Sequence, residues 1–147
     1  MDDTDTRDDS IFGAMRVDPK RYKASWNDSF WDRTKFAIAG TLFMLRRERS
    51  VRNILISGSA VLILAAWLGI ETTHVVILVF AFGTLWAVET LNSAVEAVVD
   101  MVTQEYHPMA KVAKDVAASA TLVISVTCSL ISLTLVVLPL LQRLDIL

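Results

Sequence analysis

The chain has 147 residues, 54% hydrophobic and 20% charged, with a formal net charge of −2 and a mean hydropathy of +0.49. That length fits one small unit, and the charge leaves no basic surface of the kind nucleic acid requires. Five glycines and three prolines exclude a collagen-like or low-complexity chain, and the single Cys128 excludes an internal disulfide or a cysteine-rich zinc site.

In chain order, the first ten residues hold five aspartates and no core-forming pattern, and residues 1–26 read as a disordered tail. A surface helix is predicted over 27–50. Trp31, Ile38, Leu42 and Leu45 stand at offsets 0, 7, 11 and 14, which is one helical face. Lys35 intrudes on that face, and Arg46 and Arg47 close it. Such a helix lies in a membrane interface, with Trp26 and Trp31 at headgroup depth.

Three apolar blocks follow. The first, about 54–70, has 17 residues from Ile54 to Ile70 and no ionisable group; a spanning helix needs about 20, with a lower limit near 17. It begins too far into the chain, and lacks the small-residue cleavage site, to be a signal peptide. The second block, about 75–100, is uncharged from Val75 to Val88 and then continues as ETLNSAVEAVVD with three acids. The third, about 117–141, is uncharged, with Pro139 near its end where a lost backbone bond costs least. Three all-apolar helices would leave a soluble chain of this size too little sequence to cover them, so a membrane protein is expected.

The basic residues orient it. Arg33, Lys35, Arg46, Arg47, Arg49 and Arg52 precede the first span, Glu71 to His74 separate the first two spans without a lysine or arginine, and Lys111 and Lys114 lie between the second and third. The positive-inside rule therefore puts the N-terminus and the second connection in the cytoplasm and the C-terminus outside.

Within the second block, Glu89, Asn92, Glu96 and Asp100 stand at offsets 0, 3, 7 and 11. They project at about 0°, 300°, 340° and 20° around a helix and rise about 16 Å. Ionised acids at membrane depth cost at least about 2.5–3.5 kcal/mol each on insertion scales, and such groups face a bundle interior or pair with cations or metal. Asp100 also fits a solvated end of the helix; Glu89, with fourteen uncharged residues ahead of it, does not. Carboxylates beside Lys111 and Lys114 suit a Mg²⁺-bound nucleotide, because Mg²⁺ prefers carboxylate and phosphate oxygens. A deeper carboxylate is placed to accept a proton from an alcohol. No GxxxxGK[ST] motif occurs, which excludes a P-loop.

The run Glu89-Thr90-Leu91-Asn92-Ser93-Ala94-Val95-Glu96-Ala97-Val98-Val99-Asp100 resembles the signature of the prokaryotic diacylglycerol kinase family. So do Glu105-Tyr106-His107-Pro108 and Ala110-Lys111-Val112-Ala113-Lys114-Asp115-Val116-Ala117-Ala118, and Glu48 in Arg47-Glu48-Arg49-Ser50 sits where the family has its glutamate ahead of the first span. The HP-x-AK-x-AKD form looks closer to the undecaprenol kinase branch.

The resemblance implies an all-α integral membrane protein of the bacterial inner membrane: a homotrimer, each protomer with three transmembrane helices and an N-terminal amphipathic surface helix. It implies transfer of the γ-phosphate of MgATP to the hydroxyl of a lipid alcohol, undecaprenol or diacylglycerol. By motif, Glu89 would be the general base and Asn92 its positioning partner. Glu48 and Glu96 would bind Mg²⁺, and these two with Glu105, Tyr106, His107, Lys114 and Asp115 would hold ATP. Glu89 and, more weakly, Arg52 would meet the lipid. Ser50, Ser119 and Thr121 depart from the family's usual Asn, Gly and Val, and about twenty N-terminal residues have no counterpart. The competing readings are an inactive membrane scaffold of the same fold and an ion- or proton-conducting oligomer.

Overall fold

A computed structural model describes residues 30–146, apart from the side chain of Asp32. The expected tail over 1–26, the start of the surface helix at 27 and the Trp26 anchor lie outside the described residues. The chain divides into two units, residues 1–49 and 50–147.

In the first unit, helix α1 spans Phe30–Arg47, inside the predicted 27–50 segment. Thr34 ties its hydroxyl to the Phe30 carbonyl at 2.9 Å, and Phe30 and Trp31 pack edge to face at 6.0 Å. The Arg47 guanidinium lies 5.8 Å from the Phe43 ring. The helix stops three residues before the predicted end. Glu48 falls outside it, although its N–H still reaches the Met44 carbonyl at 2.8 Å.

In the second unit, α2 spans Arg49–Leu68, α3 Thr72–Val102 and α4 Pro108–Ser132; a π-helical turn, Leu133–Val137, joins α4 to the short α5, Leu138–Arg143. Among the described residues, three helical stretches are long and apolar enough to cross a membrane: Arg49–Leu68, Thr72–Val102 and Pro108–Arg143. Each is longer than its apolar block, because hydropathy marks the part that suits lipid while backbone hydrogen bonding carries the helix on into charged residues. Ile56, Ile63, Phe80, Leu122 and Val123 are exposed on these helices, which is costly in water and expected in lipid.

The turn between α2 and α3 is set by Gly69. Its φ is +69°, a left-handed value that favours glycine. Around it the Ile70 N–H reaches the Ala65 carbonyl at 3.1 Å and the Gly69 N–H reaches Ala66 at 3.2 Å, the paired bonds of a Schellman cap.

The packed interior is built in two layers. Ala65, Leu78 and Val136 form one; Ala81, Leu85 and Cys128 form the next, with Ile54, Ile124 and Ile131 against them. Phe82 borders both layers and sits against Gly58, where an added Cβ would meet its ring at 3.0 Å. Glycine is what lets the Phe82 ring lie directly on α2 there. The second layer ends one turn below Glu89.

Candidate functional site

The buried residues of α3 are Leu78, Ala81, Leu85 and Glu89. The same three- and four-residue spacing continues through Asn92, Glu96 and Asp100. The polar stripe is thus the core-facing seam of α3, carried on past the hydrophobic layers. Helix α3 is 31 residues long, about 46 Å, against a hydrocarbon slab of about 30 Å. Counted from Thr72, the slab ends near Leu91 or Asn92, so Glu89 falls inside it and Glu96 and Asp100 beyond it. Exposure follows the same order. Glu89 is 8% exposed, Asn92 is half-buried, and Glu96 and Asp100 are exposed.

Glu89 is the one buried charged residue among the described residues, and its carboxylate has no partner among them. One turn on, the Asn92 amide donates from Nδ2 to Glu96 Oε1 at 3.2 Å. Three side-chain atoms nearby are buried without a hydrogen bond: Trp86 Nε1, Asn92 Oδ1 and Thr121 Oγ1. An orphaned polar atom of this kind costs about 1–3 kcal/mol, so this stretch of the helix pair carries polarity that packing alone does not use.

Beyond the stripe, the connection between α3 and α4 shapes an open cleft of about 560 Å³. Glu105, Tyr106 and His107 line it from the turn, and Lys114 and Asp115 from α4. The turn is held locally: the Thr103 hydroxyl accepts the Glu105 N–H at 3.2 Å and donates to the Glu105 carbonyl at 3.1 Å. His107 is the N-cap of α4, its Nδ1 accepting the Met109 N–H at 3.2 Å. Pro108 follows at the first helical position, where its missing N–H costs nothing. Tyr106 stands out from the turn, exposed.

Two residues to which the family resemblance gave no role also line the cleft, Asp100 and Lys111. Lys114 Nζ donates to Asp100 Oδ1 at 2.6 Å, bridging α3 and α4, while Lys111 pairs with Asp115 one turn along α4. All four side chains are at least one-third exposed, so each pair is worth no more than about 1 kcal/mol. An incoming phosphate can exchange such partners at little cost. The signal for Asp100 was its place on the stripe; for Lys111, it was the spacing to Lys114.

Glu48 belongs to the first unit, half-buried and 3.8 Å from Arg47 Nε. Arg52 is half-buried in the first turn of α2. Among the described residues no group of three or more His, Cys, Asp or Glu side chains converges as a metal cage. The donor chemistry nonetheless fits Mg²⁺, which is held by one or two carboxylates together with phosphates and water. Glu96 offers a carboxylate with one oxygen steadied by Asn92.

Comparison with known proteins names the relationship. The family model described as prokaryotic diacylglycerol kinase matches residues 35–136. A diacylglycerol kinase from Synechocystis is 35% identical over 109 residues, covering 74% of this chain and 62% of that protein. An undecaprenol kinase from Bacillus subtilis is 36% identical over 88 residues, 60% of this chain and 72% of that protein. A diacylglycerol kinase from Escherichia coli is 41% identical over 61 residues, 42% of this chain and 50% of that protein. The chain thus spans less than two thirds of the Synechocystis and Escherichia coli proteins. It belongs to the prokaryotic diacylglycerol kinase family.

Proposed function

We propose that this chain is a membrane lipid kinase that transfers the γ-phosphate of MgATP to the hydroxyl of a lipid alcohol, diacylglycerol or undecaprenol. The observation that carries the reading is a buried carboxylate without a partner among the described residues, Glu89, on the same helix face as Glu96 and as Asp100, which lines the cleft. The relatives named diacylglycerol kinase and undecaprenol kinase support it.

On this reading Glu89 accepts the proton of the lipid hydroxyl as that oxygen attacks the γ-phosphorus. Such transfer depends on positioning and charge neutralisation more than on covalent help from the protein. Asn92 holds the base and the phosphate in register. Lys114 leaves Asp100 to neutralise phosphate charge, and Asp115 with Glu105, Tyr106 and His107 holds the rest of the nucleotide. Glu48 and Glu96 hold the Mg²⁺, which when bound screens the β- and γ-phosphate charge. Arg52 contacts lipid or nucleotide. Helix α1 lies along the cytoplasmic surface of the inner membrane, the C-terminus is outside, and the working unit is a homotrimer.

The test is phosphorylation of diacylglycerol and of undecaprenol, side by side, by purified protein in mixed micelles with ATP and Mg²⁺. The expected result is Mg²⁺-dependent transfer to at least one lipid. No transfer to either, from folded protein, would leave the inactive scaffold as the better account; ATP-independent ion flux in liposomes would favour the conducting oligomer.

A further inference from the structure

The charges of the cleft do not suit a bare polyphosphate. Among the described residues that line it, Asp100, Glu105 and Asp115 are acids and Lys111 and Lys114 are the cations, so the lining carries one more negative charge than positive. Both lysines already have a carboxylate: Lys114 holds Asp100 at 2.6 Å, and Lys111 holds Asp115. An anion that takes the lysines leaves those carboxylates facing it.

Asp100 is the acid hardest to explain by folding. It lies in the last turn of α3, which ends at Val102 and has no basic residue in that turn. An acid there meets the negative end of the helix and is disfavoured. Its pair with Lys114 crosses from α3 to α4, but both side chains are more than one-third exposed, and exposed pairs add little to stability. Asp115 differs, since it pairs with a lysine one turn back on its own helix, a common arrangement on a helix surface. The fold therefore gains little from Asp100, and the place where its charge counts is the cleft.

We propose that Asp100 is a specificity-determining residue that makes the cleft favour metal-loaded nucleotide over the metal-free form. The proposal rests on the reading of this cleft as the nucleotide site. In the empty cleft the carboxylate holds Lys114 across the two helices. When a phosphate takes Lys114, Asp100 stays in the lining with its charge uncovered. A metal-free triphosphate then meets a like charge. A triphosphate that carries Mg²⁺ brings less negative charge, and the waters that Mg²⁺ keeps are donors that a carboxylate can accept.

The experiment measures binding of a non-hydrolysable ATP analogue to the full chain in micelles by equilibrium dialysis, with excess Mg²⁺ and again with a chelator. The proteins are the parent, Asp100→Asn, which removes the charge, and Asp100→Glu, which keeps it. The readout is the ratio of the two affinities. Neutralising Asp100 also frees Lys114 for either form of the nucleotide, and that gain cancels in the ratio. Asp100→Asn should lower the preference for the metal-loaded form about fivefold or more, the effect of one unit charge about 4 Å away even at the dielectric of water. Asp100→Glu should stay close to the parent. The difference between parent and Asp100→Asn should shrink as salt rises from about 0.01 M to about 0.15 M. A merely structural role would weaken both forms together and leave the ratio unmoved. Should the asparagine variant fail to fold, Asp100→Ser must give the same fall. An unchanged ratio in folded Asp100→Asn, or a parent that binds the two forms equally, overturns the proposal and leaves the kinase reading intact. A parent that binds neither form overturns both.

Discussion

Replacing Glu89 with Gln should make the protein both less active and more stable. The side chain is 8% exposed, its carboxylate has no partner among the described residues, and it falls within the span of α3 that suits hydrocarbon. An acid at the centre of a spanning helix carries a penalty of about 2.5–3.5 kcal/mol on insertion scales. Glu89 lies toward one end of the slab, so glutamine, of nearly the same shape and uncharged, should recover part of that, about 1–3 kcal/mol. A general base contributes about 10²–10⁴-fold to rate, and glutamine cannot accept the proton. Turnover should fall by that factor at saturating lipid, while KM for ATP, set in the cleft some 16 Å along the helix, stays within about twofold. Stability is read by chemical denaturation in micelles and activity by lipid phosphorylation. Glu89→Asp separates charge from position: it keeps the carboxylate, so it should not stabilise. It also draws the oxygens back toward the helix by about 1 Å, a displacement that can cost about 10²-fold. Near-parental turnover by Glu89→Gln would refute the reasoning. So would a variant less stable than the parent, since it would mean that the carboxylate has a partner on which the fold depends.

Other expectations follow from the same structure. Lys114→Met should raise KM for ATP about tenfold or more, as loss of a charge-assisted contact worth about 1.5–3 kcal/mol requires. Its stability should change by under about 1 kcal/mol, because the pair with Asp100 is exposed. Gly58→Leu should destabilise by about 1–3 kcal/mol through overpacking against Phe82. Gly83→Ala is the control, since its Cβ would meet nothing within 4 Å, and denaturation midpoints should show it neutral or slightly stabilised. In a Cys128→Ser background, a cysteine at Gln104 should react with a membrane-impermeant thiol reagent only from the cytoplasmic side, and one at Thr72 only from outside. The reverse pattern would overturn the orientation drawn from the basic residues.

Much of the architecture was legible because a membrane leaves the chain few options. An apolar run such as Ile54–Ile70 can satisfy its backbone in lipid only as a helix. The 3.6-residue period then puts Glu89, Asn92, Glu96 and Asp100 on one face whatever surrounds them. What one dimension could not supply is where that face points. Only the packing of Leu78, Ala81 and Leu85 reveals that the stripe continues the core seam. Helix ends were missed for a related reason: Arg49 and Arg52 repel lipid, yet the helix starts with them. The π turn at Leu133–Val137 has no mark in an unbroken apolar run. The resemblance implies a nucleotide contact for His107, and its bond to the Met109 N–H shows a capping role that any nucleotide contact must share.

The grading of polarity along α3 bears on why such a site would use one long helix. A nucleotide cannot enter hydrocarbon without losing the hydration of its phosphates, and a lipid cannot leave it without exposing its tails. A kinase for a lipid alcohol must therefore bring two reactants together at a boundary that neither crosses. Here Glu89 stands on the apolar side of that boundary, Glu96 about 10 Å further along and Asp100 about 16 Å, with Asn92 between the proposed base and the proposed metal carboxylate. A triphosphate anchored at the Glu105–His107 turn and Lys114 would extend its terminal phosphate back along the stripe toward Asn92, and a lipid hydroxyl would reach the same level from the other direction. A single helix fixes those heights to within its own stiffness, which loops from separate elements would not. Glu89, the one buried charged residue among the described residues, is then the part of the design that costs stability, and Glu96, Asp100 and Lys114, which need water, are held beyond it.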